Sequence, residues 1–177
     1  MSEQGHRAEN VKEAVKFEEV VQEHGGLLWR ISCSYERNPD LQQELHQEVL
    51  TAVWRALPKF RSDSKLSTFL ARIAHNRGLS HVAKEASSPT SVEIDPGFPS
   101  DQPSPLEEAV AGNRLTLLMA AVHQLPINLR QVITLTLEGF APREIADVLG
   151  ENANTVSIRL TRAKQMLRHD LKALAND

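Results

Sequence analysis

The sequence contains a single cysteine, Cys33, and few aromatic residues. One cysteine excludes an intrachain disulfide and a zinc site built from several thiolates. Aromatic residues make up 5% of the 177 residues, and this low share, together with abundant Leu, Val and Ala, favours helical packing over a β-sandwich. We therefore expect an all-α protein. The apolar neighbours of Cys33 predict a buried helical position for this thiol.

Long apolar runs and the patterns of common catalytic sites are also missing. No segment approaches the roughly 20 apolar residues of a membrane span, and the polar N-terminus lacks the apolar part of a signal peptide. We expect a cytoplasmic protein without membrane contact. There is no nucleophile–base pattern, glycine-rich phosphate loop or carboxylate pair, so we expect neither an enzyme nor a cofactor. His75 and His81 are six residues apart, which does not place them on one helix face, so no metal site is predicted.

A stretch rich in Pro, Ser and Asp divides the chain in two. Residues 87–105 have no helical or strand periodicity, which is typical of a flexible linker. We expect a helical domain at 10–86 and a four-helix domain at 106–175, able to move independently. Helices are predicted at about 11–24, 27–38, 41–57 and 66–85, with a break at Gly25 and Gly26 and with Asp40 as an N-cap. In the second domain, helices at 106–124 and 127–138 precede a helix-turn-helix.

The helix-turn-helix is predicted at 141–171. Pro142 suits a first helical turn, Gly150 suits a left-handed C-terminal position, and Asn152 suits the N-cap of the second helix. Apolar residues at three- and four-residue spacing predict its buried stripe: Val156, Leu160, Ala163, Leu167 and Leu171. Residues 157–172 carry five Lys or Arg against one acid, although the chain has a net charge of −3. We predict that this helix enters a DNA major groove. A solvated helix hairpin is the alternative.

Several segments, in order, resemble the extracytoplasmic-function (ECF, group IV) sigma factors of the sigma-70 family. Residues 45–49 and 53–57 (LHQEV and VWRAL) resemble region 2.2, and residues 59–61, 67–70 and 72–76 (KFR, STFL and RIAHN) resemble region 2.3. Similarity to region 4 begins at Leu125-Pro126 and continues at residues 138–140 (EGF), 144–146 (EIA) and 149–150 (LG). It ends with TV, RL and RAK between residues 155 and 164.

The resemblance implies two small helical domains, sigma-2 and sigma-4, that bind the clamp and the flap of core RNA polymerase. Sigma-2 is implied to recognise and melt promoter DNA near minus ten, and sigma-4 to read the minus-thirty-five element. The residues implied for minus ten are Arg61, Lys65, Asn76, Arg77 and Lys84, with Asn76 beside Phe60 and Phe69 in a pocket for an unstacked base. Those implied for minus thirty-five are Asn154, Thr155, Ser157, Ile158, Arg159 and Arg162. Those implied for polymerase binding are Glu44, Gln47 and Glu48.

The sequence departs from the family pattern just before region 2.2. The family usually has a run of acids there, whereas Leu41-Gln42-Gln43-Glu44 keeps only one. Thr51 lies seven residues beyond Glu44 on the same helix face, where a phosphate would restore negative charge. We therefore hypothesise activation by a Ser/Thr kinase at Thr51, as in a minor branch of the family. The rival acceptors are Thr68, Ser62, Ser64 and Ser67. Apolar contacts that replace the lost charges are the simpler alternative, and an anti-sigma factor is a further expected partner.

Further departures concern DNA contacts. Ser157 and Ile158 stand where a basic residue and a serine are usual, Glu151 replaces an aliphatic residue, and the basic tail after Asn76 is short. Two other functions remain open at this point. One is a stand-alone helix-turn-helix regulator that binds DNA as a dimer, and the other is an interaction protein without a DNA role.

Overall fold

The structure is a computed structural model that describes residues 16–87 and 116–174. The predicted all-α class is confirmed, since the described residues contain helices and no strand. The N-terminal lobe comprises α1 (Phe17–Tyr35), α2 (Pro39–Ala56), a 3-10 turn (Leu57–Lys59) and α3 (Leu66–Ser87). The C-terminal lobe comprises α4 over 116–124, α5 (Ile127–Leu137), α6 (Pro142–Leu149) and α7 (Ala153–Leu174). Apart from Ser87, which ends α3, the predicted linker lies outside the described residues.

Helix α1 is continuous through Gly25 and Gly26, so the predicted break is wrong. Each glycine costs a helix about 1 kcal/mol relative to alanine. Burial outweighs that cost, because residues on both sides of the pair, including Val20, Leu28 and Ile31, belong to one apolar core. Helix α1 therefore spans the whole lobe. Cys33 is half-buried on it, not fully buried as predicted.

Helix α2 begins at Pro39, two residues earlier than predicted. The N-cap is Asn38, whose Oδ1 accepts a hydrogen bond from the Asp40 backbone N–H at 2.9 Å. Asp40 is therefore a residue of the first turn and not the predicted cap. Leu45 and Val49 on one side of α2 are almost completely buried, and this leaves the opposite side of the helix to solvent.

Helices α1 and α3 cross in close contact at Gly78. A Cβ atom on Gly78 would lie 2.3 Å from the Tyr35 ring, so only glycine fits there without displacement. The Tyr35 hydroxyl oxygen and His75 Nδ1 are 2.6 Å apart in a hydrogen bond, and both side chains are buried. Burial lowers the pKa of His75 to about 4, so the imidazole is neutral at pH 7.

Acidification is expected to destabilise the protein between pH 6.5 and pH 4. In the unfolded chain His75 takes up a proton near pH 6.5, whereas in the folded chain its pKa is depressed, so stability falls as pH falls through this window. At pH 5 we expect a loss on the order of 1–2 kcal/mol from His75. Thermal unfolding at pH 7 and pH 5 measures it. His75→Gln keeps an acceptor for Tyr35 and should reduce the pH dependence; an equal dependence in this variant would contradict the assignment.

The two lobes are packed against each other in the structure. Their independent movement stays a prediction. Arg30 on α1 makes two hydrogen bonds to the Glu138 carboxylate, at 2.6 and 2.8 Å. Arg130 on α5 donates to the Ser34 carbonyl at 3.3 Å. One apolar cluster includes residues of both lobes, such as Leu28 and Val132. We call this contact region the interlobe seam. None of the described helices is long and apolar enough to cross a membrane.

Candidate nucleic-acid and polymerase interfaces

The helix-turn-helix forms as predicted. Helix α6 begins at Pro142 and ends at Leu149, and its C-cap is Gly150, which has a left-handed φ of 66°. Asn152 caps α7, because its Oδ1 accepts from the Thr155 backbone N–H at 2.8 Å. Glu144 supports the start of α6 by accepting from the Ala141 N–H at 2.8 Å. Local capping thus fixes both ends of α6 and the start of α7.

Helix α7 buries one side and exposes the other, as its sequence predicts. Val156 and Ala163 are fully buried. Of the residues predicted to read DNA, Asn154, Ser157, Ile158 and Arg162 are exposed, whereas Thr155 and Arg159 are half-buried. Arg159 lies on the flank of the face, where its Nη2 donates to Glu151 Oε1 at 2.9 Å.

The exposed side of α2 carries every residue predicted to bind polymerase. Glu44, Gln47, Glu48 and Thr51 are all exposed along it, and we call this surface the docking face. Trp54 is 60% exposed on the same side and is not among the residues predicted to bind polymerase. Its spacing could have revealed it, because Trp54 lies three residues after Thr51 and seven after Gln47.

Asn76 lies on α3, two helical turns after Phe69, which belongs to an aromatic pair. Phe60, which follows the 3-10 turn, packs on Phe69 with ring centroids 4.9 Å apart. Phe69, Ile73 and Asn76 follow each other at four- and three-residue spacing and therefore share one stripe of α3. The Asn76 side chain is exposed at the end of this stripe. An aromatic platform can stack with an unstacked base, and a polar amide on the same helix stripe can hydrogen-bond to it.

The remaining residues predicted for minus ten do not form one cluster. Arg61, Arg77 and Lys84 are exposed, but Lys65 contacts the other lobe, with its Nζ 2.7 Å from Glu144 Oε1. The hydrogen bond from Lys65 holds the pKa of Glu144 below its usual range. Two helical turns after Lys65, Arg72 donates to the Asp147 carbonyl at 3.1 Å. Helix α6 therefore lies against the start of α3.

The predicted phosphate acceptors differ in accessibility. Thr51 is exposed in the middle of α2, and its hydroxyl donates to the Gln47 carbonyl at 2.8 Å. Thr68 is only 3% exposed, so a kinase cannot reach it in this fold. Ser62 and Ser64 are exposed before α3, and Ser67 is half-buried.

The histidines considered for a metal site have other partners. His75 pairs with Tyr35, and His81 Nε2 lies 2.6 Å from Glu36 Oε2. Burial alone would raise the pKa of Glu36, but hydrogen bonds from His81 and from two backbone N–H groups outweigh it and lower that pKa. Among the described residues, no group of three or more His, Cys, Asp or Glu side chains is arranged to hold a metal ion.

Comparison with known proteins identifies the two lobes. Residues 20–88 match the family described as Sigma-70 region 2, and residues 115–167 match Sigma-70, region 4. RNA polymerase sigma factor NccH of Alcaligenes xylosoxydans xylosoxydans is 30% identical over 160 residues, which cover 85% of this chain and 84% of the relative. The ECF RNA polymerase sigma-E factor of Haemophilus influenzae is 28% identical over 138 residues, covering 72% and 73% of the two chains.

A solved structure supports the same fold. The sigma factor RpoE, in complex with the anti-sigma factor NepR from Bartonella quintana, superposes with a TM-score of 0.71 at 23% identity. The match covers 88% of this chain and 96% of that one. With family matches on both lobes and a relative of 30% identity over most of its length, the chain belongs to the sigma-70 family of RNA polymerase sigma factors and is of the ECF type.

Proposed function

We propose that this protein binds core RNA polymerase through the docking face of α2 and directs it to a promoter. In this proposal α7 reads the minus-thirty-five element, while Asn76 and the Phe60–Phe69 pair capture an unstacked base near minus ten. The observation that carries the proposal is that both lobes leave the relevant helix faces exposed: the polar side of α2 and the polar side of α7. We place this activity in the cytoplasm, with the polymerase.

Run-off transcription with purified core polymerase and genomic promoter fragments tests this function. Promoter-dependent transcripts that require this chain support it. A dimer that protects DNA without polymerase would instead favour a stand-alone helix-turn-helix regulator, and absence of binding to either polymerase or DNA would favour an interaction protein. We also propose an anti-sigma factor as a partner, because the RpoE relative was solved in complex with one.

Core binding needs a source of affinity that the missing acids do not supply. The docking face keeps Glu44 and Glu48 but lacks the usual acidic run before them. Trp54 adds a large exposed aromatic surface on the same side. Tryptophan is enriched among residues that dominate interface energies. The simpler route to core binding is therefore apolar, with Trp54 as its centre.

Phosphorylation of Thr51 is the second route that we propose. A phosphate there would add close to two negative charges between the turns that carry Gln47 and Arg55. Close charge pairs across an interface couple by roughly 1.5–7 kcal/mol. The exposure of Thr51 and the burial of Thr68 favour Thr51 as the acceptor. The enzyme that we propose for this modification is a Ser/Thr kinase.

Thr51→Ala is expected to lower core binding at least tenfold in material from cells that contain the kinase, since one charge pair of about 1.4 kcal/mol suffices for that change. Thr51→Glu should bind core without the kinase, and Thr51→Ser should behave as wild type. Pull-down with core polymerase, with intact mass as the readout of modification, measures both effects. Ser64→Ala is the matched control. Equal binding by Thr51→Ala and wild type would reject phosphorylation and leave the Trp54 route.

A further inference from the structure

The turn of the helix-turn-helix contains an acid where DNA phosphates are expected to approach. Glu151 follows the left-handed Gly150 and directly precedes the Asn152 cap of α7. Its backbone N–H donates to the Ala146 carbonyl at 3.0 Å, which fixes its position. The N-terminus of a helix attracts anions, and DNA-reading helices use this end to contact bases and phosphates. A carboxylate there repels the same phosphates.

The carboxylate is also in contact with a cation that DNA would use. Arg159 Nη2 lies 2.9 Å from Glu151 Oε1, and only 23% of the Arg159 side chain is exposed. Arg162, one helical turn further on, is exposed. Arg159 lies on the flank of α7, and not at the centre of its exposed face, so a backbone phosphate is within reach more readily than a base edge.

We propose that Glu151 is a specificity-determining residue of the minus-thirty-five surface. It engages Arg159 in place of a DNA phosphate and releases it only when the matching sequence holds the helix deep in the groove. On any other sequence the Arg159 charge stays compensated and Glu151 repels the backbone. Glu151 therefore weakens binding to wrong DNA more than binding to the promoter, and a repulsive contact of this kind increases specificity. The inference rests on the proposed minus-thirty-five role of α7.

The test compares two DNA duplexes bound by the complete polymerase complex formed with the full-length chain. One duplex is a promoter obtained by run-off transcription, and the other has the same minus-ten element with a scrambled minus-thirty-five element. Glu151→Gln is expected to bind the scrambled duplex several-fold more tightly. Its affinity should also fall more steeply with salt, by about 0.9 in the log–log slope, because one more phosphate contact forms. The promoter duplex should change less, so the ratio of the two affinities falls.

Two further variants separate the proposed cause from simpler ones. Asp170→Asn removes the same charge from α7 away from Arg159 and should leave the ratio unchanged. In an Arg159→Ala background, Glu151→Gln should lose its effect. The inference is overturned if Glu151→Gln changes neither the ratio of the two affinities nor the salt slope, or if its effect persists without Arg159. It is also overturned if Glu151→Gln loses affinity equally for both duplexes and has a lower melting temperature. If wild type itself does not distinguish the duplexes, the minus-thirty-five proposal fails instead.

Discussion

Gly78→Ala is expected to destabilise the N-terminal lobe by about 2 kcal/mol or more. The added Cβ would lie 2.3, 2.4 and 2.6 Å from three atoms of the Tyr35 ring. The ring has little room to withdraw, because Tyr35 is 7% exposed and its hydroxyl is bonded to His75. Overpacking of this kind costs typically 1–3 kcal/mol, occasionally more. The clash therefore outweighs the gain of about 1 kcal/mol that alanine brings to a helix.

Gly25→Ala provides the matched control for this prediction. A Cβ on Gly25 would meet only Val21 Cγ1, at 3.8 Å, which is an ordinary contact. This variant should therefore be as stable as wild type or more stable, by up to about 1 kcal/mol. Urea unfolding of the two variants measures the difference. Equal midpoints would mean that the crossing of α1 and α3 relaxes without cost.

The helix-turn-helix could be predicted in detail because its signals are local. Pro142, Gly150 and Asn152 each act on their own helix end through backbone geometry or a single cap hydrogen bond. The exposed faces of α2 and α7 were equally predictable, since helical phase alone decides which side a buried stripe leaves free. Glycine propensity, by contrast, predicts a break in α1, and tertiary packing overrides it.

The interlobe seam could not be predicted, because its contacts join residues far apart in the chain. Arg30 and Glu138 are 108 residues apart, and no local pattern pairs them. Glu138 belongs to the EGF segment that resembles region 4, but that resemblance carries no information about Arg30. The same limit applied to Lys65, which was assigned to minus-ten DNA and is bonded to Glu144 in this structure. Only Glu144 gave a partial signal, as an acid in the first turn of α6. The ion pair of Glu144 with Lys65 depends on how the two lobes pack, which no local pattern indicates.

The seam has a direct consequence for promoter binding. Elements centred near minus ten and minus thirty-five are about 25 base pairs apart, or roughly 85 Å along B-DNA at 3.4 Å per pair. In the structure, the helix-turn-helix is in contact with the start of α3, since Lys65 Nζ lies 2.7 Å from Glu144 Oε1. The two lobes must therefore separate if each is to occupy its proposed element. Under this proposal, the packed arrangement differs from the promoter-bound one.

The composition of the seam is compatible with separation. Besides its apolar part, the seam contains buried polar groups, among them Ser34, Gln131 and Thr134. A cleft of about 270 Å³ opens beside it and is lined by both ion pairs, Arg30–Glu138 and Lys65–Glu144. Polar contacts of this kind are typical of interfaces that open, and not of a permanent core.

Arg30→Glu is expected to shift the protein strongly toward separated lobes. The Glu138 side chain is 11% exposed and now receives two hydrogen bonds from Arg30. The variant would leave this poorly hydrated carboxylate beside a second acid, and uncompensated charges of this kind cost several kcal/mol. Every 1.4 kcal/mol changes the open-to-closed ratio about tenfold. Energy transfer between dyes on Gln43→Cys and Gln165→Cys, in a Cys33→Ser background, reports the separation.

The charge-swapped double variant Arg30→Glu/Glu138→Arg tests the cause. It restores an ion pair across the seam and should return the energy transfer toward the wild-type value.

Arg30 belongs to none of the proposed polymerase or DNA surfaces. Arg30→Glu should therefore also form promoter complexes with core polymerase faster than wild type, because the closed state no longer competes. If the dye distance stays constant while thermal stability falls, the pair stabilises the fold without holding the lobes together. If the lobes open but promoter complexes form no faster, closure does not limit initiation.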